Sequence, residues 1–269
     1  MKMKKIIAIA LVSVMAGTIF TGCAKKDSDT MAGTSDKLVV AMEIGYPPME
    51  YIDKDGATKI GFDVEVAKAI SEKLNRKLVI KDVAWDGIFT SLDTNRADCI
   101  ISAVSITDDR KSKYNLTDAY IANKLCLVTR KDSKITDPDS LAGKKVAVQT
   151  ETTADTYMKK KIADGLAIKT DDYKVYDKVI NCFDDLKAQR VDAVLVDSVV
   201  AAYYIGTDSA TYSVTWENTT AEPMAIALKK GNDKLTADIQ KAVNDLYADG
   251  TMTTIAKKYF GDKNTVTVK

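Results

Sequence analysis

The stretch DCIISAVSITDDR, residues 98–110, contains the pattern on which the chain is built. It begins as a short apolar run, which is typical of a buried strand. It then changes to small hydroxyl side chains, two acids and an arginine. A strand that leaves the core in this way brings Ser102, Ser105 and Arg110 to one place. The other motifs of the chain indicate what these polar groups are for.

Short apolar runs alternate with helical patterns along the whole chain, which predicts an α/β fold with mostly parallel sheets. Asp63 is placed to cap the first helix, and Asp55-Gly56 fits the turn of a hairpin over residues 49–60. The predicted strands cover residues 37–43, 77–83, 98–102, 124–133, 145–150, 191–197 and 224–231. The predicted helices cover residues 62–75, 85–95, 152–162, 181–189, 198–206, 233–250 and 251–261.

The composition excludes several classes of enzyme. With 269 residues and 46% hydrophobic side chains, the chain is long enough for two lobes. It contains no histidine. This excludes histidine-based triads, zinc sites with histidine ligands and imidazole acid–base catalysis.

Residues 1–22 have the pattern of a bacterial lipoprotein signal peptide, with a basic start, an apolar centre and the ending TGC. Cleavage there makes Cys23 the first residue of the mature protein and the carrier of lipid, including palmitate. Residues 23–36 then form a polar, lipid-anchored tether. An uncleaved amphiphilic anchor is the alternative. We expect an extracytoplasmic protein on the outer face of the cytoplasmic membrane.

The charge balance gives no reason to expect a nucleic-acid partner. Removing residues 1–22 removes three lysines and no acids, so the formal charge changes from +1 to −2. Cys99, Cys126 and Cys182 lie in apolar runs and are expected to be buried thiols. We expect no cofactor and no metal, since the acids do not have the spacing of a calcium loop.

Seven ordered segments carry a resemblance to a known family. The segments are YPPMEY, GFDVEVAKAI, WDGIFTSL, SAVSITDDR, AGKKVAVQTETTA, VDAVLVDSVVAAYY and LYADGTMTTIAKKYFG. In this order they resemble the extracellular solute-binding proteins for polar amino acids, which are the substrate-capturing components of ABC importers. The resemblance covers about residues 37–261.

The resemblance implies a two-lobed, periplasmic-binding-protein-like (type II) fold with the ligand in a cleft between the lobes. Lobe 1 would be discontinuous, with residues 37–124 and 222–269, and lobe 2 would hold residues 125–221. The segments NKLCLV and EPMAIA would connect them. The implied partners are a free amino acid and the permease subunits of an ABC importer, and we expect a monomer.

The resemblance also implies which residues bind the α-carboxylate and the α-ammonium group of the ligand. Arg110 matches the position that pairs with the α-carboxylate, a task that suits the two-pronged guanidinium. Ser105 would serve both the carboxylate and the ammonium group, while Ser102 and Ala103 stand at the adjoining positions. For Arg110 alone, a solvated helix-end arginine is the ordinary alternative.

Two further elements complete this part of the site. Thr152 and Thr153 open a helix and would offer its N–H groups to the carboxylate, although either threonine could simply cap the helix. Asp197 matches the position that pairs with the α-ammonium group, and its alternative is also a helix cap.

Selection of the ligand side chain is implied to come from lobe 1. Tyr46 and Trp85 match the aromatic positions on either side of the ligand side chain, although aromatics at strand spacing are more often part of the core. Glu43 matches an acidic position that reaches the end of the ligand. An acid between aromatic faces favours a cationic or amide-bearing side chain.

Two residues depart from the family pattern, and they leave detail open. Met49 replaces a phenylalanine, which is a tolerated packing change. Glu151 stands where a small residue, usually glycine, precedes the threonines. Its carboxylate could interact with the helix N-terminus or reach the cleft as a second acid.

Two other functions compete with amino-acid capture for import. Some relatives of the fold are extracytoplasmic dehydratases of prephenate-like acids, with Glu151 or Glu43 as the candidate acid here. Asp197 is a poor partner for a dicarboxylate such as prephenate, whereas arogenate keeps an ammonium group. A sensor that works without a transporter is the third possibility.

Overall fold

The computed structural model describes residues 36–261 and residue 267. The signal peptide, residues 23–35 of the tether and the predicted lipid site at Cys23 lie outside the described residues. Within the described part, the strands are β1 (Lys37–Met42), β2 (Tyr51–Ile52), β3 (Lys59–Ile60), β4 (Lys77–Asp82), β5 (Cys99–Ile100), β6 (Tyr114–Leu116), β7 (Leu125–Arg130), β8 (Val146–Gln149), β9 (Tyr173–Tyr176), β10 (Ala193–Asp197), β11 (Tyr212–Glu217) and β12 (Ala227–Lys229).

The α-helices of the same part follow the predicted order, with one short addition, α3. They are α1 (Phe62–Lys73), α2 (Ile88–Asp93), α3 (Asp108–Lys113), α4 (Thr153–Ala163), α5 (Val179–Lys187), α6 (Ser198–Thr207), α7 (Asp233–Ala248) and α8 (Thr251–Phe260). The predicted cap of α1 is wrong. Gly61 holds the cap position, while Asp63 is fully buried in the first turn and accepts hydrogen bonds from Ala103 N and Tyr120 Oη.

The first sheet has the strand order β4-β1-β5-β12-β6. Strand β1 pairs in parallel with β4 and β5, and β12 pairs antiparallel with β5 and β6. Along β1, Leu38, Val40 and Met42 pack in the core with α1, α7 and α8, while Val39 and Ala41 pack on the other face with α2. Both faces of β1 are therefore buried, which explains its unbroken apolar run.

The second sheet has the strand order β11-β7-β10-β8-β9. Strands β10, β8 and β9 are parallel, and β7 runs antiparallel to both β10 and β11. Leu127 and Leu195 face α4, whereas Val128 and Val194 face α5 and α6. The two-lobed α/β fold is confirmed. Each sheet is mostly parallel, as predicted, but contains one strand that runs antiparallel to its two neighbours, β12 in the first sheet and β7 in the second.

The chain crosses between the sheets twice, through residues 117–124 and residues 218–226. We call these the crossing segments. They are joined by backbone hydrogen bonds from Tyr120 N to Met224 O, from Met224 N to Ile121 O, and from Glu222 N to Asn123 O. The domain boundaries at residues 124–125 and 221–222 stay a prediction, and they fall within these segments.

The three cysteines of the described part, Cys99, Cys126 and Cys182, are free and buried, as predicted. Burial raises the pKa of the Cys126 thiol to about 12. A thiol in this state is a packing residue and a poor nucleophile. Among the described residues, no helix combines the length and apolar character needed to cross a membrane.

Candidate ligand-binding cleft

A cavity of about 290 Å³ lies between the two lobes. The structure brings all ten predicted ligand residues into its wall, together with two that were not predicted. The predicted ones are Glu43, Tyr46, Trp85, Ser102, Ala103, Ser105, Arg110, Thr152, Thr153 and Asp197, and the additional ones are Glu50 and Gln149. Their direct contact with a ligand stays a prediction.

The site residues meet because of where the strands end. Glu43 directly follows β1, and Ser102 lies two residues after the end of β5. Gln149 is the last residue of β8, and Asp197 is the last residue of β10. These strands are parallel within their sheets, so their carboxyl ends lie along one edge of each sheet. In open α/β sheets this edge is the usual location of a ligand site.

Arg110 is held in place on the short helix α3. Thr107 caps this helix by accepting a hydrogen bond from Arg110 N over 3.1 Å. The guanidinium carbon lies 5.3 Å from the ring centre of Trp85 and 5.2 Å from that of Phe89, and Nη1 donates to Ser105 O over 2.8 Å. These contacts fix a planar cation in the cavity wall, where a carboxylate can accept from its N–H groups.

Asp197 supplies the opposite charge. It occupies the cap position of α6 but makes no side-chain capping hydrogen bond. Instead its Oδ2 accepts from Tyr46 Oη over 2.5 Å and its Oδ1 accepts from Asn123 Nδ2 over 2.6 Å. Burial raises the pKa of Asp197, while these two donors and the charge of Arg110 act in the opposite direction.

The serines and the alanine after β5 have distinct neighbours. Ser102 Oγ donates to Glu50 Oε1 over 2.7 Å and accepts from Glu43 N over 3.0 Å. Ala103 N donates to Asp63 Oδ2, so the carbonyl of Ala103 is the backbone group left for a ligand. The φ of Ala103 is 47°, in the left-handed region that favours glycine.

Thr152 caps α4, which was one of the two roles expected for it. Its Oγ1 accepts from Asp155 N over 3.2 Å and donates to Gln149 O over 2.8 Å. Thr153 is the first helical residue. The cap and the ligand role are compatible, because the first N–H groups of a helix have no partner within the helix.

The open question about Glu151 is resolved by its backbone. Its φ is 54°, which explains why glycine suits this position. The side chain is exposed and lines the outer opening of the cleft, not the enclosed cavity. The carbonyl of Glu151 accepts from Trp85 Nε1 over 3.2 Å, which joins the lobes across the opening.

Two residues of the cavity wall, Glu50 and Gln149, were missed in the sequence analysis. Gln149 Nε2 donates to both carboxylate oxygens of Glu43 over 2.8 Å, which links lobe 2 to lobe 1 inside the cavity. Glu50 is fully buried, and its Oε2 has no hydrogen-bond partner among the residues that the structure describes. The available signals were the glutamate of YPPMEY and the last residue of the strand VAVQ.

Burial shifts the acids of the cavity strongly. It raises the pKa of Glu43 to about 7, although Gln149 and Lys178 oppose the change. It also raises the pKa of Glu50 well above its usual range, with the charge of Asp63 as the next cause. Burial therefore favours the neutral form of Glu50, while Glu43 titrates near neutrality.

The comparisons with known proteins agree with this geometry. Residues 38–262 match the model of the bacterial extracellular solute-binding proteins, family 3. The chain belongs to this family. It is similar to the L-cystine-binding protein TcyJ of Escherichia coli (strain K12), with 31% identity over 94% of this chain and 95% of that protein.

Two further matches widen the picture of the family. The arginine-binding extracellular protein ArtP of Bacillus subtilis (strain 168) is 28% identical over 95% of this chain and 98% of that protein. A solved structure of an ancestral arginine-binding protein bound to arginine matches with a TM-score of 0.79 and 34% identity. That match covers 84% of this chain and 99% of the other.

Proposed function

We propose that this family 3 protein captures a free amino acid with a cationic side chain outside the cytoplasmic membrane and delivers it to the permease of an ABC importer. One observation carries the proposal. The cavity wall holds Arg110 and Asp197, whose opposite charges suit an α-carboxylate and an α-ammonium group, together with the acids Glu43 and Glu50. Similarity to arginine-binding proteins supports the cationic class, and similarity to a cystine-binding protein makes cystine its first competitor.

The charges in the cavity wall favour a positive side chain. Once a ligand has satisfied Arg110 and Asp197, Glu43 remains as an acid that a cation would stabilise in its ionised form. Glu50 adds two further carboxyl oxygens to the wall, and its burial disfavours a second negative charge there. A guanidinium or ammonium group could therefore find both an ion-pair partner and a hydrogen-bond acceptor.

The first experiment is a ligand screen with residues 24–269, freed of carried-over ligand by unfolding and refolding. The melting temperature is measured with each common amino acid and with cystine. A ligand at about 1,000 times its Kd stabilises the folded state by about 4 kcal/mol, which is a shift of several degrees. Shifts with arginine or lysine support the proposal. A shift with cystine alone contradicts the cationic class, and no shift at all contradicts capture of amino acids.

Replacement of Glu43 by glutamine tests the choice of side chain. The amide keeps the shape but removes the charge, so the affinity for arginine or lysine should fall by about 1–3 kcal/mol. Isothermal titration calorimetry gives the change. Glu151→Gln is the matched control, because this glutamate is exposed outside the enclosed cavity. Equal affinity of Glu43→Gln and the wild type would show that Glu43 is not the selector.

The affinity for a cationic ligand should also depend on pH. The cation pairs with ionised Glu43, so binding lowers the pKa of Glu43 from about 7 and releases a proton. Affinity is therefore highest above that pKa and falls as the pH falls through it, by at most about tenfold per pH unit. Calorimetry between about pH 5 and pH 8 measures the slope. A flat profile for arginine contradicts this account of Glu43.

We propose binding without catalysis. Glu43 has the pKa of a possible general acid, yet Asp197 opposes a dicarboxylate substrate in the same cavity. Incubation with arogenate and prephenate tests this directly, because a binding protein returns its ligand unchanged. Product formation would favour the dehydratase. A genomic neighbourhood without permease genes would favour a sensor.

Anchoring is proposed from the sequence of residues 1–36. Signal cleavage before Cys23 and lipid on that cysteine would keep a monomer at the outer face of the membrane. Mass spectrometry of the protein from membranes should show the N-terminal peptide beginning at a lipid-modified Cys23. Cys23→Ala should lose this lipid-modified peptide, and a wild-type protein whose N-terminal peptide begins at Met1 would indicate the uncleaved anchor.

A further inference from the structure

Asn123 lies on the first crossing segment and contacts a carboxylate of the cavity. Its Nδ2 donates to Asp197 Oδ1 over 2.6 Å, and the residue is only 3% exposed. The other oxygen of Asp197 accepts from Tyr46, which belongs to the first lobe. One carboxylate thus joins the crossing segment, lobe 1 and lobe 2.

The orientation of the Asn123 amide is fixed by its other contacts. Its Oδ1 accepts from both the N–H and the hydroxyl of Ser198, each over 3.0 Å. Its backbone carbonyl accepts from Glu222 N on the second crossing segment. If the amide oxygen and nitrogen of Asn123 were exchanged, its NH₂ group would face the N–H and the hydroxyl of Ser198, which are themselves donors here. The NH₂ group of Asn123 therefore points at Asp197.

We propose that Asn123 is a positioning residue, which holds the carboxylate of Asp197 ready for the α-ammonium group of the ligand before the lobes close. This rests on the proposed function. The side chain of Asn123 is also bonded to Ser198 at the start of α6, so it moves together with Asp197 and lobe 2 when the lobes rotate about the crossing segments. The bond from Asn123 therefore persists in the open form, whereas the bond from Tyr46 forms on closure. Such preorganisation raises affinity by lowering the cost of ordering the site.

The same contact favours the ionised form of Asp197. Three groups that face this carboxylate lower its pKa against the effect of burial, namely the hydroxyl of Tyr46, the amide of Asn123 and the charge of Arg110. The carboxyl group of Glu222 also lies close enough to interact with it by charge repulsion. Without the amide, the pKa of Asp197 should rise. The α-ammonium group needs the ionised form, so binding is then lost at a higher pH as the solution is acidified.

The test compares the Kd of Asn123→Ala with that of the wild type across pH, with L-arginine, L-glutamine and L-cystine as probes, since each carries an α-ammonium group. We expect the variant to bind about 10- to 100-fold more weakly at neutral pH, the loss typical of a hydrogen bond to a charged group. We also expect the ratio of the two Kd values to increase as the pH falls. The titration of Glu43 is common to both proteins and cancels in this ratio.

A second variant separates positioning from support of α6. Asn123→Asp keeps the oxygen that accepts from Ser198 but replaces the donor that faces Asp197. Two facing carboxylates shift one pKa strongly upward, so the affinity ratio of this variant should change with pH near neutrality. Asn218→Asp is the matched control, because it adds the same charge to the second crossing segment at a residue outside the cavity wall.

The outcomes are distinguishable. A pH-dependent loss in both Asn123 variants, with an unchanged Asn218→Asp, supports the inference. If the wild type binds a probe while Asn123→Asp keeps its affinity and pH profile, Asn123 only supports α6 and the inference is overturned. If the wild type binds no probe at any pH, the proposed function fails and the inference fails with it.

Discussion

Replacement of Arg110 by methionine should abolish amino-acid binding at every ligand concentration used for the wild type. The guanidinium is buried between Trp85 and Phe89, and methionine keeps much of its apolar contact while it removes the charge. A ligand carboxylate would then enter the cavity without a partner. Removing one partner of a buried ion pair typically costs about 3–5 kcal/mol, which corresponds to a loss of at least a hundredfold in Kd.

Two further variants sharpen this measurement by calorimetry. Arg110→Lys keeps the charge but loses the two-pronged geometry, so it should fall between the wild type and Arg110→Met. Lys113→Met is the matched control, because this lysine lies on the same helix, is exposed and pairs with Asp109. If Arg110→Met retains wild-type affinity, the carboxylate of the ligand binds elsewhere.

Replacement of Asp197 by asparagine should weaken binding by about 2–5 kcal/mol, the usual cost of truncating one member of a buried, hydrogen-bonded charge pair. The amide keeps one oxygen as an acceptor, but its nitrogen meets a donor from Tyr46 or Asn123. The α-ammonium group of the ligand loses its partner at the same time. Asp171→Asn is the matched control, since Asp171 is an exposed residue outside the cavity wall.

A ligand analogue identifies which contact is lost in Asp197→Asn. The des-amino analogue of arginine keeps the carboxylate and the guanidinium but lacks the α-ammonium group. The wild type should discriminate strongly between arginine and this analogue, whereas Asp197→Asn should bind both with similar weakness. Full discrimination by the variant would place the ammonium group away from Asp197.

Most of the strands that sequence analysis identified are buried on both faces, and the half-buried edge strand β4 is an exception. β1, β8 and β10 are long apolar runs, and they were predicted within one or two residues. The strands β6, β9 and β11 were missed, and each is an edge strand. Edge strands bury little of their surface, so their side chains lack the apolar run by which a strand is recognised.

The candidate site divides in a similar way. Arg110 and Asp197 were predicted because the family pattern surrounds them with distinctive neighbours. Glu50, Gln149 and Asn123 were missed because their roles depend on distance across the fold. Asn123 reaches Asp197 over a separation of 74 residues, and Gln149 reaches Glu43 over 106. No local pattern marks such pairs.

Direct bonds between the lobes have a consequence for the lifetime of the complex. Trp85 binds the carbonyl of Glu151, and Gln149 binds Glu43, in both cases through protein atoms alone. A ligand enclosed behind these bonds leaves only after they break, so the opening rate sets an upper limit on its dissociation rate. Amino acids that bind with different affinities then have the same maximum dissociation rate, which is the rate of lobe opening. A permease that separates the lobes could accelerate the release of all of them.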